Sequence, residues 1–272
     1  MKRLADWHAP QHITGVLTDI DDTLTTDGAI TADALQALAD LKAAGLHVIP
    51  ITGRPVGWSE PFAATWPVDA IVAENGACAL LPQATSLIAP QGKPDKRRKL
   101  LKIYQQDAPT RAAQYARMQQ VLADIEASVP GARRADDSPG RECDIAIDHS
   151  EFTHLPQAAI DACVQIMQAA GMNATVSSIH INGWYGAHDK WVGAQWIVRE
   201  LLGRSLEAEI ERWVYIGDST NDQKMFQRFP HSIGVANIAR FVPQLTHLPR
   251  YVTQGARGAG FAEMAHALLT TR

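Results

Sequence analysis

Short apolar runs that stop at polar, acid-rich turns dominate both ends of the chain, whereas its middle alternates apolar and polar positions. Ile13 to Thr18 is an apolar run ending at an acidic cluster, which predicts a buried strand. Asp27-Gly28 marks a tight turn. Thr31 stands as the N-cap of a helix carrying Leu35, Leu38 and Leu41 on one face, with Gly45 just past its end. Leu46 to Ile51 and Ala70 to Ala73 follow as further buried strands. Strand, helix, strand with short connections is a βαβ unit, which implies a parallel sheet covered on both faces. The rhythm returns late, with strands at Trp213 to Ile216, Ile233 to Ala236 and Tyr251 to Thr253. One helix runs through Lys224 to Phe229, and another closes the chain at Phe261 to Leu269.

The middle behaves differently. Gln91 to Lys99 is polar and basic, with Lys93, Lys96, Arg97, Arg98 and Lys99, and it reads as a boundary. A long helix is predicted over Thr110 to Val129, then a polar loop containing Pro130, Gly131, Pro139 and Gly140. Cys143 to Asp148 and Val176 to Trp184 alternate, as half-covered strands do, and a helix near Gln157 to Ala170 lies between them. The expected architecture is α/β: a parallel-sheet core with a small α+β domain inserted into it.

Composition narrows the setting. Apolar residues make up 46% and charged residues 20%, so a full core is available. The formal net charge of −4 favours neither nucleic acid nor an anionic membrane as partner. Met1 to Pro10 lacks the apolar stretch of a signal peptide, and no window approaches the length needed to span a bilayer. Cys78, Cys143 and Cys163 are too scattered for a disulfide framework, so a reduced, cytoplasmic setting is expected.

The candidate chemistry sits at strand ends. The first strand ends in Thr18-Asp19-Ile20-Asp21-Asp22-Thr23, and a late one in Gly217-Asp218-Ser219-Thr220-Asn221-Asp222. Either cluster alone reads equally well as a turn or a helix cap. Together, at the C-terminal ends of parallel strands where open α/β sheets bind ligands, they would repel unless a cation lay between them. Hard oxygen ligands of this kind suit Mg²⁺. Thr52-Gly53 supplies a hydroxyl and an exposed backbone N–H suited to phosphate, and Lys190 opens a helix where an ammonium could neutralise a phosphoryl oxygen.

As a set, these residues resemble the haloacid dehalogenase superfamily of phosphohydrolases. Asp19, Asp21 and Thr23 match its Asp-x-Asp-x-Thr motif, Thr52 its second-strand threonine, and Lys190 its motif lysine. Gly217, Asp218, Asn221 and Asp222 match its Gly-Asp-x-x-Asn-Asp motif. The resemblance implies a Rossmann-like catalytic core over residues 1–88 and 185–272, with the α+β cap inserted at 89–184. Only residues 25–30 separate the first motif from the first helix, so the cap follows the third strand, as in the type IIB group. The segment Glu74-Asn75-Gly76-Ala77 before it has the look of that group, which includes Cof-like sugar phosphatases, sucrose-phosphate and trehalose-phosphate phosphatases, mannosylphosphoglycerate phosphatase and phosphomannomutase. Two departures stand out: Asp22 where that group usually has Gly, and Trp191 where Gly often follows the lysine.

The resemblance implies an Mg²⁺-dependent phosphatase acting on a small phosphate ester, a sugar phosphate, through a phosphorylated Asp19. Asp21 would act as acid and base. Asp19, Asp218 and the backbone carbonyl of Asp21 would ligate the metal, with Asp222 supporting its waters. Thr52, Gly53 and Lys190 would hold the phosphoryl group. Strand parity adds a specificity face. It places Ser178, His180, Asn182 and Trp184 opposite Ile179 and Ile181, and Asp144 and Asp148 opposite Ile145 and Ile147. Asp144, His180, Asn182 and Arg141 are the cap candidates for substrate contact, although an ordinary solvated sheet face reads the same residue by residue. Arg133 and Arg134 join Arg141 as candidates for a second anionic group. A sugar phosphomutase uses the same motifs, and a non-catalytic sugar-phosphate sensor is a third reading. The sequence leaves the particular ester and the oligomeric state open.

Overall fold

A computed structural model of the chain describes residues 1–83 and 98–271. Lys93, Lys96 and Arg97 of the basic stretch, and the expected 88/89 division, lie outside the described residues. The first part of the chain forms β1 (Lys2–Arg3), β2 (Gly15–Thr18), β3 (Thr25–Thr26), β4 (Ala29–Ile30), α1 (Ala32–Ala43) and β5 (His47–Pro50). Then come α2 (Val56–Thr65), β6 (Ile71–Ala73), β7 (Cys78–Pro82) and β8 (Leu100–Tyr104). The middle forms α3 (Ala108–Ser128), β9 (Arg133–Arg134), β10 (Ile145–Asp148), α4 (Gln157–Ala169), β11 (Asn173–Val176) and β12 (His180–Trp184). The last part forms α5 (Lys190–Leu202), β13 (Trp213–Gly217), α6 (Gln223–Arg228), β14 (His231–Gly234), β15 (Tyr251–Val252) and α7 (Arg257–Leu269).

Six strands pair in the order β1-β15-β14-β13-β2-β5, every pair parallel. Alternate residues along these strands feed two cores. Val16, Val48 and Val214 pack with Leu38, Leu41, Phe261 and Leu268 of α1 and α7. Leu17, Ile49 and Tyr215 pack with Ile197 and Phe226 of α5 and α6. Cover on both faces is why these strands read as unbroken apolar runs rather than as alternating ones. Leu35, placed with Leu38 and Leu41 in the sequence reading, is instead 39% exposed. At 3.6 residues per turn Leu35 lies about 120° around the helix from Leu41, and Ala34 and Ala37 complete the buried face.

The β3–β4 hairpin turns through Asp27 and Gly28 with φ +50° and +79°. Two successive positive φ values give the tight turn that Asp-Gly favours, so nothing larger is inserted there.

Helix α2 and strands β7 and β8 escaped the sequence reading, as did the two-residue strands β1 and β9. Helix α2 contains Gly57 and Pro61, two residues that interrupt a helical pattern. Its signal is the aromatic spacing instead: Trp58, Phe62 and Trp66 pack in series with tilted rings, centroids 4.5 and 4.8 Å apart. Strands β7 and β8 extend the sheet antiparallel from β6, which meets β5 through a parallel bridge between Ile51 and Val72. Strand β8 lies within the stretch 89–184 expected to be inserted, yet it pairs with the core. The insertion therefore starts after Tyr104, because Leu100–Tyr104 pairs residue for residue with Cys78–Pro82.

The inserted part is a four-stranded antiparallel sheet in the order β11-β12-β10-β9, covered by α3 and α4. The alternating stretch expected as one strand from Val176 is two, β11 and β12, joined at Ser177 to Ile179. Ile147 pairs with Ile181 on the face under the helices, among Leu122, Ile125, Cys163 and Met167. Ala146 pairs with Asn182 and Asp148 with His180 on the opposite face. The expected parity holds from His180 to Asn182 and fails on either side. Ile179 lies in the turn, half-buried, and Trp184 is buried against His188 rather than on the open face.

Candidate active site

Strands β2, β5 and β13 end level with one another, so the residues that follow them share one edge of the sheet. Thr18 pairs with Ile216 and with Pro50, which brings Asp19, Ile51-Thr52 and Gly217-Asp218 together. The N-terminus of α5 is held close to the Glu74–Gly76 turn because two glycines meet there. A Cβ on Gly76 (φ +107°) or on Gly193 would run into the backbone of the other segment. That contact sets Lys190 over the strand ends.

Lys190 Nζ donates to Asp19 Oδ1 and to Asp222 Oδ1, both at 2.6 Å. Tyr215 also donates its hydroxyl to Asp222 Oδ1, and the N–H groups of Asp218 and Ser219 donate to Asp222 Oδ2 at 2.9 and 3.1 Å. Asp222 is thereby committed to holding the lysine and the Asp218 loop. Asp218 is fully buried; its Oδ2 accepts from Asn237 Nδ2 at 3.2 Å, while its Oδ1 has no hydrogen-bond partner. Oxygens of Asp19, Asp218 and Asp222 lie within 4.8 Å of one another.

The electrostatics follow from that crowding. Burial pushes the Asp19 carboxyl up to about 8 against the pull of Lys190, with Asp222 and Asp21 adding to the rise. Burial also drives Asp218 well above the ordinary carboxylate range, and Asp19 and Asp222 push in the same direction. Burial works to strip Lys190 of its proton, but Asp19 and Asp222 outweigh it and hold the ammonium charged. Lys190 offsets Asp19 and Asp222, while Asp218, with Arg240 3.6 Å away, keeps one carboxylate oxygen without a partner. A divalent cation fits this donor set: hard oxygens, at least one unused, on residues that burial alone would neutralise.

Thr52 is fully buried, its Oγ1 accepting from the Arg54 N–H at 3.0 Å. At Gly53 a Cβ would lie 3.2 to 3.3 Å from Asn182 Oδ1 and the Asn75 side-chain amide, tighter than ordinary contact. A Cβ there would press on Asn182, through which the inserted part meets this backbone. Asp21 accepts from Arg54 Nε at 2.9 Å. Asp22, with φ +56°, pairs with Arg240 at 2.7 Å and Arg257 at 3.0 Å.

The four cap candidates come together, but against the core rather than in open space. Arg141 Nη1 donates to the Gly53 carbonyl at 3.0 Å and to Asp144 Oδ1 at 2.7 Å, and its Nε and Nη2 reach Asp137. Asn182 Nδ2 donates to the Gly53 carbonyl at 3.2 Å and to Asp144 Oδ2 at 3.0 Å. His180 Nε2 lies 2.9 Å from Glu151 Oε2. Arg141 is therefore neutralised and buried, which removes it as a free anion holder. Arg133 and Arg134 are exposed on edge strand β9, where Arg134 pairs with Glu126. The cleft that remains open, about 510 Å³, is lined by Asp21, Arg54, Glu151, Phe152, Arg240 and Arg257. Sequence reasoning missed Arg54, Glu151, Tyr215 and Asn237. Only Arg54 carried a local signal, as the residue following Thr52-Gly53.

Glu74 explains how the inserted part docks. Its buried carboxylate accepts from the N–H groups of Val56 on the core side and Glu142, Cys143 and Asp144 on the other. Glu74 and Asn75 have φ +49° and +54°, a costly backbone for non-glycine residues that this docking holds in place. Glu74→Gln presents an amide NH₂ to at least one of those donors. Loss of about 1–3 kcal/mol is expected, the cost of a buried unsatisfied group. Urea unfolding reads it, and an unchanged midpoint would count against the docking role.

Among the described residues no helix is long and apolar enough to cross a membrane. Residues 16–138 match the family model described as haloacid dehalogenase-like hydrolase. No curated protein matches the chain in sequence. Solved structures do match in fold. A Thermoplasma acidophilum protein superposes with a TM-score of 0.68 at 16% identity, covering 94% of this chain and 98% of its own. The sucrose-phosphatase of a Synechocystis species, solved with sucrose and phosphate, gives 0.61 at 15%, covering 93% and 97%. A haloacid dehalogenase-like hydrolase from B. subtilis gives 0.61 at 14%, covering 93% and 99%.

Proposed function

We propose that the chain is a haloacid dehalogenase-like phosphatase, that it is Mg²⁺-dependent, and that it hydrolyses a small sugar phosphate through an aspartyl-phosphate on Asp19. The observation that carries this reading is the Lys190 bridge between Asp19 and Asp222, set beside the unpartnered carboxylate oxygen of Asp218. Asp19, Asp218 and the Asp21 backbone carbonyl would hold the cation. When bound, it would neutralise the three carboxylates and polarise a phosphoryl oxygen.

Asp19 attacks phosphorus; a P–O bond forms to its carboxylate as the P–O bond to the sugar breaks. The departing sugar oxygen takes a proton from Asp21, which later removes one from the attacking water. The water attacks phosphorus; its P–O bond forms as the P–O bond to Asp19 breaks, which releases inorganic phosphate and returns Asp19 as a carboxylate. Lys190, the Thr52 hydroxyl and the Gly53 N–H hold the phosphoryl oxygens throughout, since this chemistry depends on positioning and on charge neutralisation.

Residues 105–184 act as a cap over this centre. Hydrogen-bonding groups of both signs and Phe152 line the cleft, which suits hydroxyls and the apolar face of a sugar ring. The experiment is phosphate release from a panel of sugar phosphates and phosphoglycerate conjugates, with and without Mg²⁺. Turnover of at least one sugar phosphate well above a simple aryl phosphate is expected. Uniformly poor turnover of every sugar phosphate would overturn the substrate class.

A further inference from the structure

We infer that Arg54 is a positioning residue for Asp21, and that Glu151 of the cap sets the guanidinium that does so. The inference rests on the phosphatase reading above. Arg54 is 5% exposed, and its donors go to carboxylates from three separate segments. Nε reaches Asp21 Oδ1 at 2.9 Å. Nη2 reaches Glu151 Oε1 at 2.6 Å, and Nη1 reaches Glu151 Oε2 at 3.2 Å and Asp137 Oδ2 at 3.1 Å. Asp21 belongs to the core, whereas Asp137 and Glu151 belong to the cap.

A guanidinium is planar and its donors diverge at fixed angles, so fixing one edge fixes the direction of the others. Glu151 takes the two-nitrogen edge, and the Trp58 ring lies 4.8 Å from the guanidinium carbon. The remaining donor, Nε, then points at Asp21. Among the described residues Arg54 is the only hydrogen-bond partner of that carboxylate. Without it, rotation about the side-chain bonds would let the acid swing away from the leaving oxygen.

Glu151 is itself built into place. The loop that carries it is capped by Asp148, whose carboxylate accepts the N–H groups of Ser150, Glu151, Phe152 and Thr153 at 2.9 to 3.1 Å. His180 Nε2 also meets Glu151 Oε2, at 2.9 Å. The consequence for the reaction is specific. The acid donates its proton to the ester oxygen as the P–O bond breaks, and it is aligned to do so when the cap loop is seated on Arg54.

The test uses two esters of nearly equal size, phenyl phosphate and 4-nitrophenyl phosphate. The nitrophenolate leaves without help, whereas phenolate benefits from a donated proton. The variants are Arg54→Lys, which keeps the charge but removes the fork, and Glu151→Gln, which lies on the more accessible side and spares the core. The quantity is kcat/KM, which reports the step that phosphorylates Asp19. In both variants phenyl phosphate is expected to lose about tenfold more than 4-nitrophenyl phosphate, a fraction of the 10² to 10⁴ that general acid catalysis supplies. Equal losses for the two esters would overturn the inference, because a merely structural role slows both alike. If Arg54→Lys fails to fold, Glu151→Gln gives the same reading alone. A wild-type protein that hydrolyses no ester with Mg²⁺ would take down the phosphatase reading as well, whereas active wild type with parallel losses takes down only this inference.

Discussion

Asp19→Asn is expected to abolish phosphate release, with a loss on the order of 10³-fold or more, as for other removed nucleophiles. The amide is a poor nucleophile, and the exchange also removes a negative charge from the donor set for the cation. The fold should survive. Asn has the same shape, and it removes a carboxyl that burial, with Asp222 and Asp21 adding to it, pushes up to about 8 against the pull of Lys190. The measurement is steady-state phosphate release beside a thermal melt of the same preparation. Near-normal turnover in a folded variant would overturn the covalent route. A lost melting transition would instead say that the Lys190 bridge is chiefly structural.

The parts of this molecule that could be read in sequence are those whose cause is local. Strands β2 and β13 are apolar runs because helices cover both faces of the sheet, and their ends carry Asp19 and Asp218 because parallel strands finish there. That the two acidic clusters meet follows from strand ends lying side by side, so it could be anticipated. The Arg54 network could not be, since its partners Asp137 and Glu151 lie 83 and 97 residues away and nothing near them in sequence marks them as a pair. The same holds for Glu74, which looks like a loop carboxylate until the N–H groups of residues 142–144 arrive on it. Parity identified Ile181 and Asn182 as facing opposite ways but gave no sign that Asn182 would dock on Gly53. Elements were missed where the local pattern was broken. Gly57 and Pro61 interrupt α2, and β8 follows the basic stretch without an alternation of its own.

Chelation is expected to abolish turnover and added Mg²⁺ to restore it. Two features of the site drive this. Asp218 is fully buried with one oxygen unpartnered, and among the described residues only Lys190 forms an ion pair with Asp19 and Asp222, with Arg240 3.6 Å from Asp218. A phosphate dianion entering beside those carboxylates would be repelled, so substrate binding and chemistry both need the cation. The same features predict an effect that does not depend on activity. Mg²⁺ at about a hundredfold excess over its Kd should stabilise the folded protein by about 2.7 kcal/mol, on the order of 5–10 °C in Tm. Asp218→Asn should behave in the opposite sense on both counts. It should melt no lower than wild type without metal, because burial and its acidic neighbours already disfavour the charged carboxyl there, and it should gain little from Mg²⁺. Full activity in excess chelator, or an undiminished Mg²⁺ shift in Asp218→Asn, would remove Asp218 from the ligand set. The wild-type shift is what separates a cation bound by these carboxylates from one that merely accompanies the substrate, since only the former stabilises the protein before any phosphate ester is added.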